Sequence, residues 1–244
     1  MTAERRAAYP DLRPDRRGIA SLSSGPEHAA AFFRSKVGLF RSLPDAVLLE
    51  LSRGAAERRY SRDTYICRTG DAALEMWVVK EGRLTVNQYG WKGNKLSIEI
   101  MVAGDVSGLA CLACRTYPGE VLASRDTTVF VLPRDVVIRA IDRHPVLARE
   151  ILYAYGQRLN YIETLLHLSR EKAPKRLIAA LLYLYHKFGF SIPLSRAEIG
   201  EMAGTTPETA IRVLRGLERR GYVTGGRGSV TISDLAGLKR ELDA

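Results

Sequence analysis

The chain has 244 residues, 46% hydrophobic and 26% charged, with a formal net charge of +10. That is enough for two compact domains, each with its own core, and it excludes a fibrous or wholly disordered protein. The positive balance favours a polyanionic partner such as nucleic acid, although charge alone fits any soluble basic protein. No apolar run approaches the roughly 20 residues of a bilayer span, and no apolar stretch follows Arg5 and Arg6 as in a secretory leader. A cytoplasmic protein with no membrane partner is expected. Cys67, Cys111 and Cys114 are too few and too unevenly placed for a disulfide framework and are expected as thiols in a reducing compartment.

Residues 1–27 mix Arg, Pro, Ala, Ser and Gly without apolar periodicity and are expected to form a flexible basic arm. Residues 28–144 form the next domain. Phe32, Phe33, Val37, Leu39 and Phe40, then Val47, Leu48 and Leu51, recur at helical spacing around the Leu43-Pro44 break, so two short helices open it. From Arg58 to Pro133 the pattern changes to short alternating or apolar runs punctuated by Gly70-Asp71, Glu81-Gly82, Tyr89-Gly90 and Gly104-Asp105. This predicts a small antiparallel β-barrel or β-roll, and an α+β fold overall.

A long helix is expected over 145–172, with Ile151, Tyr155, Leu159, Ile162 and Leu166 separated by four, four, three and four residues. The mean step is near the 3.5 of a coiled-coil seam, which favours a homodimer over a stripe packed on the chain's own barrel. Pro174 ends it, and a further apolar helix from Arg176 to Phe188 opens a C-terminal domain over 173–244.

Within that domain Ser195-Arg196-Ala197-Glu198 is a capping box: the Glu198 N–H donates to the serine hydroxyl and the Ser195 N–H to the glutamate carboxylate. The helix it opens turns Ile199, Met202 and Ala203 inward. Gly200 sits where two crossing helices need a small residue, and Gly204 is placed to stop the helix in the left-handed conformation. Thr206 is a good N-cap, and Pro207 occupies the first helical position, where its missing N–H costs nothing, so a second helix runs to about Arg220. Two helices joined by so short a glycine turn form a helix-turn-helix, whose second helix enters the DNA major groove.

On the second helix Val213, Leu214 and Leu217 are expected to face the core, leaving Glu208, Ile211, Arg212 and Arg215 on the opposite side. A carboxylate accepts from a cytosine N4 amino group and an arginine donates bidentately to guanine O6 and N7, so Glu208 and Arg212 point to a G·C pair. The plain alternative is an exposed Glu208–Arg212 ion pair. Tyr222-Val223-Thr224 and Val230-Thr231-Ile232 flank a glycine-rich tip, Gly225 to Ser229, and together make a wing. Arg227 at the tip, Arg196, Arg215, and the Thr206 and Thr209 hydroxyls are expected phosphate contacts, which set register without reading bases.

The order of β-roll, long helix and winged helix-turn-helix resembles the cyclic-AMP receptor protein and fumarate-nitrate regulator superfamily over about Leu39 to Ile232. The resemblance is carried by Leu39-Phe40-Arg41-Ser42-Leu43, by the turns Gly70-Asp71 and Lys80-Glu81-Gly82-Arg83-Leu84, and by Leu194 to Val223 with Glu208-Thr209-Ala210-Ile211-Arg212. It implies a transcription regulator and no catalytic residues. Its implied target is an inverted repeat with a TG step and CA opposite in each half-site, bound as a homodimer, with RNA polymerase recruited for activation. Pro207 stands at a base-reading position where cyclic-AMP-type members carry an arginine, which favours a TTG-like half-site.

The sensing half departs from the family. Cyclic-AMP-binding members follow the Gly-Asp-x-x-Gly turn with a glutamate and later place an Arg-Ser pair on the phosphate. Here Gly108 is followed by Leu109, and Gly119-Glu120 stands in the Arg-Ser place, where a carboxylate repels phosphate. Cyclic AMP is therefore not expected to bind in that manner. Residues 1–39 contain no cysteine, so the family's N-terminal iron-sulfur cluster is also excluded. Gly108, Leu109, Cys111, Cys114, Arg125 and Tyr161 are the candidate sensor residues for a small organic effector. Cys111 and Cys114 are inert thiols, a redox switch, or ligands of haem or a metal; His28, His144, His167 and His186 form no spacing motif, and no metal site is assigned. A thiol oxidoreductase is the rival class, but it leaves the wing and the capping box without a purpose.

Overall fold

The computed structural model describes residues 19–22, 25–89, 95–168 and 170–243. The chain divides into two compact units, Met1–Asn87 with Ile100–Ala154 and Gln88–Glu99 with Tyr155–Ala244. This differs from the expected limits in two ways. Residues 88–99 belong with the C-terminal unit, and the long helix is shared between the two rather than standing alone. Among the described residues no helix is long and apolar enough to cross a membrane.

In the first unit the Leu43-Pro44 break separates α1 (Pro26–Lys36) from α2 (Asp45–Arg53), with a single 3-10 turn at Gly38–Phe40. A proline in the first turn of α1 and Asp45 at the start of α2 suit positions whose N–H groups have no partner within the helix. One sheet contains β1 (Ile19–Leu22), β2 (Ala56–Tyr60), β4 (Glu75–Glu81), β7 (Val106–Ser107) and β9 (Thr127–Pro133), in the order β1-β2-β9-β4-β7. The other sheet, whose residues 88–89 and 95–99 are grouped with the second unit, contains β3 (Thr64–Cys67), β5 (Leu84–Tyr89), β6 (Lys95–Met101) and β8 (Glu120–Ala123), in the order β3-β8-β5-β6. Pairing is antiparallel, as a β-roll requires. Phe33 meets Phe40 and Phe130 edge-on with ring centroids 5.3 Å apart in both cases, and all three are buried with Trp77, Leu84 and Leu132. Each such side chain contributes about 1.5–3 kcal/mol by leaving water.

Two features of this unit correct or extend the sequence reading. Residues 19–22 are not part of a free arm: Ile19 lies opposite Tyr60 and Leu22 opposite Glu57, along the edge of β2. So short an edge strand takes its order from its neighbour's backbone and needs no apolar period of its own. The rest of the expected arm up to α1, residues 1–18 and 23–24, lies outside the described residues. A helix α3 (Arg134–Arg143) follows Pro133. In the sequence its Val136-Val137-Ile138 run merges with the apolar strand before it.

Helix α4 (Pro145–Leu168) has 24 residues, about 36 Å at 1.5 Å per residue. The expected seam included Ile151, but Ile151 is buried, 6% exposed, whereas Leu152 is 70% exposed. Apart from Tyr153, the exposed large apolar positions of α4 among the described residues are Leu152, Leu159, Ile162 and Leu166, with Tyr155 half-buried among them. They step by three, four, three and four residues, a strict 3.5-residue period.

The second unit continues with α5 (Ala173–Phe188), β10 (Ser191–Ile192), α6 (Arg196–Met202), α7 (Pro207–Arg219), β11 (Val223–Gly226), β12 (Ser229–Ile232) and α8 (Leu235–Asp243). The strands order as β10-β12-β11. Leu177, Ile178, Leu181 and Leu184 from α5 are buried with Ile199, Leu214, Leu217 and Leu238. The sequence reading stopped at the wing and contained no α8, whose fully buried Leu238 helps close this core.

Candidate nucleic-acid interface

The capping box that opens α6 is formed in full: the Ser195 N–H donates to Glu198 Oε2 at 2.7 Å, and the Glu198 N–H donates to Ser195 Oγ at 3.2 Å. The chain leaves α6 through Gly204 at φ +62°, and Arg176 Nη1 donates to the Gly204 carbonyl at 2.9 Å. Thr206 caps α7 by accepting from the Thr209 N–H at 3.3 Å, and Pro207 follows in the first turn. A Cβ on Gly200 would sit 2.6 Å from the Ala210 Cβ, so the crossing of α6 and α7 requires glycine there.

The crossing fixes which face of α7 is spent on the fold. Ala210, Leu214 and Leu217 are buried and Val213 is half-buried, while Pro207, Glu208, Arg212, Arg215 and Arg219 are exposed and Ile211 is half-buried. Glu208, Ile211, Arg212, Arg215, Glu218 and Arg219 line one open concave strip. Arg219 carried no assignment from the sequence. Among the described residues no ion pair joins Glu208 to Arg212, so the intrahelical alternative is not formed and both groups keep their bonding capacity.

The wing is tighter than expected. Pairing runs from Val223 opposite Ile232 to Gly226 opposite Ser229, leaving only Arg227 and Gly228 in the turn. Gly228 has φ +75°, and Arg227 is exposed beside it. The Thr206 and Thr209 hydroxyls lie 3.2 Å apart at the start of α7, and Arg215 is exposed along it. Arg196 is the exception among the expected phosphate contacts. Its Nη2 lies 3.0 Å from Glu218 Oε2, and its side chain is only 28% exposed. The other oxygen of Glu218 accepts from the Gly225 N–H at 2.9 Å. Glu218 was missed because it joins residues 22 and 7 positions away, a pairing with no local signal.

The candidate sensor residues of the first unit differ in burial. Gly108, at φ +81°, caps the 3-10 turn Leu109–Leu112, and a Cβ on it would sit 2.8 Å from the Trp77 ring. Leu109 and Cys111 are buried, Cys114 is exposed, and Arg125 is exposed on the turn between β8 and β9. The side chain of Tyr161 lies outside the described residues. Glu120 is buried on β8 directly opposite the fully buried Asn87. Burial pushes the Cys111 thiol up to about 11 and the Cys67 thiol up to about 12, so neither holds appreciable thiolate near neutral pH. Among the described residues no three His, Cys, Asp or Glu side chains are grouped to hold a metal ion.

Residues 175–241 match the Crp-like helix-turn-helix domain family, and residues 57–144 match the cyclic nucleotide-binding domain family. The chain belongs to the Crp/Fnr superfamily. This Crp/Fnr protein is similar to the cyclic AMP receptor protein of Thermus thermophilus, 28% identical over 205 residues that cover 82% of this chain and 94% of the relative. It is also similar to the transcriptional activator protein anr of Pseudomonas aeruginosa, 24% identical over 186 residues, 72% of this chain and 76% of that one. FixK2 from Bradyrhizobium japonicum shares the fold, with a TM-score of 0.71 at 24% identity over 78% of this chain and 98% of that chain. This Crp/Fnr protein is therefore a transcription regulator with a helix-turn-helix DNA-binding domain, and its family does not act by catalysis.

Proposed function

We propose that this regulator binds an inverted repeat in duplex DNA as a homodimer, works in the cytoplasm, and activates transcription through RNA polymerase in response to a signal other than cyclic AMP. The observation that carries the reading is the outer face of α7, where exposed Glu208 and Arg212 stand one turn apart with no intrachain partner among the described residues. Glu208 and Arg212 read a G·C pair in each TTG-like half-site, with Pro207 and Ile211 against neighbouring base edges. Arg215, Arg227, Thr206 and Thr209 hold phosphates. The stripe of exposed Leu152, Leu159, Ile162 and Leu166 with half-buried Tyr155 supports pairing of two α4 helices, which would present two reading helices to one site. Glu120 and Leu109, at positions where cyclic-AMP-type members need other residues, support a different effector, a small organic molecule or haem. A thiol switch gains no support from Cys111, whose sulfur is buried and protonated.

Selection of bound sequences from random duplex DNA tests the reading. An inverted repeat carrying a G·C pair in each half-site is expected, and Arg212→Ala is expected to lose discrimination at that pair while still binding DNA. Recovery of no preferred sequence, or a preference unchanged in Arg212→Ala, overturns it.

A further inference from the structure

Glu218 lies in the last turn of α7, yet it does more than end a helix. One carboxylate oxygen accepts from the Gly225 N–H at 2.9 Å, and the other lies 3.0 Å from Nη2 of Arg196, the first residue of α6. Gly225 is in β11, two residues before Arg227 at the wing tip. A Cβ on Gly225 would collide with the Arg196 guanidinium, so that side chain occupies the space the glycine leaves free. A single carboxylate thus ties the start of α6, the end of α7 and the first strand of the wing. Both charged side chains are about one-third exposed, at 28% and 35%, so the pair is partly shielded from water rather than a loose surface contact.

We infer that Glu218 is a positioning residue for DNA binding: with Arg196 it clasps the wing so that Arg227 meets a phosphate, and Arg196 acts through this clasp rather than as a phosphate contact itself. The inference rests on the proposed phosphate contact of Arg227. Without the clasp the base of the hairpin keeps its strand pairing, its backbone bonds around Tyr222 and the buried Val223, Val230 and Ile232, but the two-residue tip loses the tie at Gly225 and no longer presents its guanidinium at one place.

Affinity of the full-length protein for a mixed-sequence 40-base-pair duplex, measured across a series of salt concentrations, separates the alternatives. Each lost phosphate contact lowers the salt slope by about 0.9. Arg227→Ala, Glu218→Ala and Arg196→Ala are each expected to lower the slope by about this amount per subunit. Both double variants, Glu218→Ala with Arg227→Ala and Arg196→Ala with Arg227→Ala, are expected to fall no further than Arg227→Ala alone. Additive losses overturn the clasp and return Arg196 to a direct phosphate contact. Tighter binding by Glu218→Ala also overturns it, because that is what removing a mere negative charge near DNA would do. Thermal melting monitors folding, and if Glu218→Ala fails to fold, Arg196→Ala with its double carries the same test. An unchanged slope in Arg227→Ala refutes the wing contact itself, a different failure from retention of the Arg227 effect in the Glu218→Ala background.

Discussion

The outer face of α7 and the segment from Gly108 to Glu120 both hold residues that the sequence singles out, and the fold treats them in opposite ways. On α7 the charged groups Glu208, Arg212 and Arg215 are left exposed on a helix whose two ends are capped by its own sequence. In the β-roll Leu109, Cys111 and Glu120 are buried, and Gly108 is pressed against Trp77. A surface built for a partner of fixed shape keeps its charges unspent, whereas an interior consumes them in packing. Chemistry on the first is set by residues within a turn of one another, while chemistry in the second depends on long-range register.

The largest effect is expected where the α7 face depends on being doubled. Leu159→Glu places a carboxylate in the exposed stripe of α4 and should lower affinity for the selected inverted repeat by about 10²–10⁴-fold as the second half-site contact is lost. Sedimentation should then show monomers, and an unchanged dimer would remove the stripe from the interface. On the β-roll side, Gly108→Val forces a branched side chain into φ +81° and against Trp77. It should cost about 3 kcal/mol in urea unfolding of the first unit, with little change in sequence preference. Arg212→Ala should do the reverse, removing about 1–3 kcal/mol of discrimination at one base pair with a melting temperature close to wild type.

The smallest effect concerns Cys111. Its thiol is raised by burial from 9.0 to about 11, so the unfolded chain releases its proton first. The resulting stability is present in full below pH 9 and is lost as pH rises toward 11. The stability gap between wild type and Cys111→Ser should narrow by about 1 kcal/mol between pH 8 and pH 10. A gap that stays constant would show that this thiol is not sequestered, and would weaken the contrast between the two regions.

Much of the reading head was legible because its signals are local. The Ser195–Glu198 box, Gly204, and Thr206-Pro207 act within one turn of where they stand, and the fold uses each as the sequence implies. The stripe on α4 agrees with the expected positions from Tyr155 onward and differs at its first member, where Leu152 and not Ile151 is exposed. Leu147 and Ile151 face inward on the same helix whose Leu152 faces outward, so apolar residues on two faces blur the choice between neighbours. The β1 strand and the Arg196–Glu218–Gly225 tie were not legible, since each depends on partners far away in the chain. The same holds for the sensor residues. Their proximity in sequence placed Cys111 and Cys114 together, but a 3-10 turn sends one inward and leaves the other outside.

The division of α7 into a committed inner face and an uncommitted outer one has a consequence for how such a regulator changes its targets. Ala210, Leu214 and Leu217 hold the helix against Gly200 and the core, so substitutions there are paid in stability. Replacements at Glu208 or Arg212 touch no intrachain partner among the described residues, and surface changes of that kind usually stay within about 0.5 kcal/mol. On the proposed reading of these two residues, new operator preferences can be explored there by single substitutions, with the architecture that delivers them left intact.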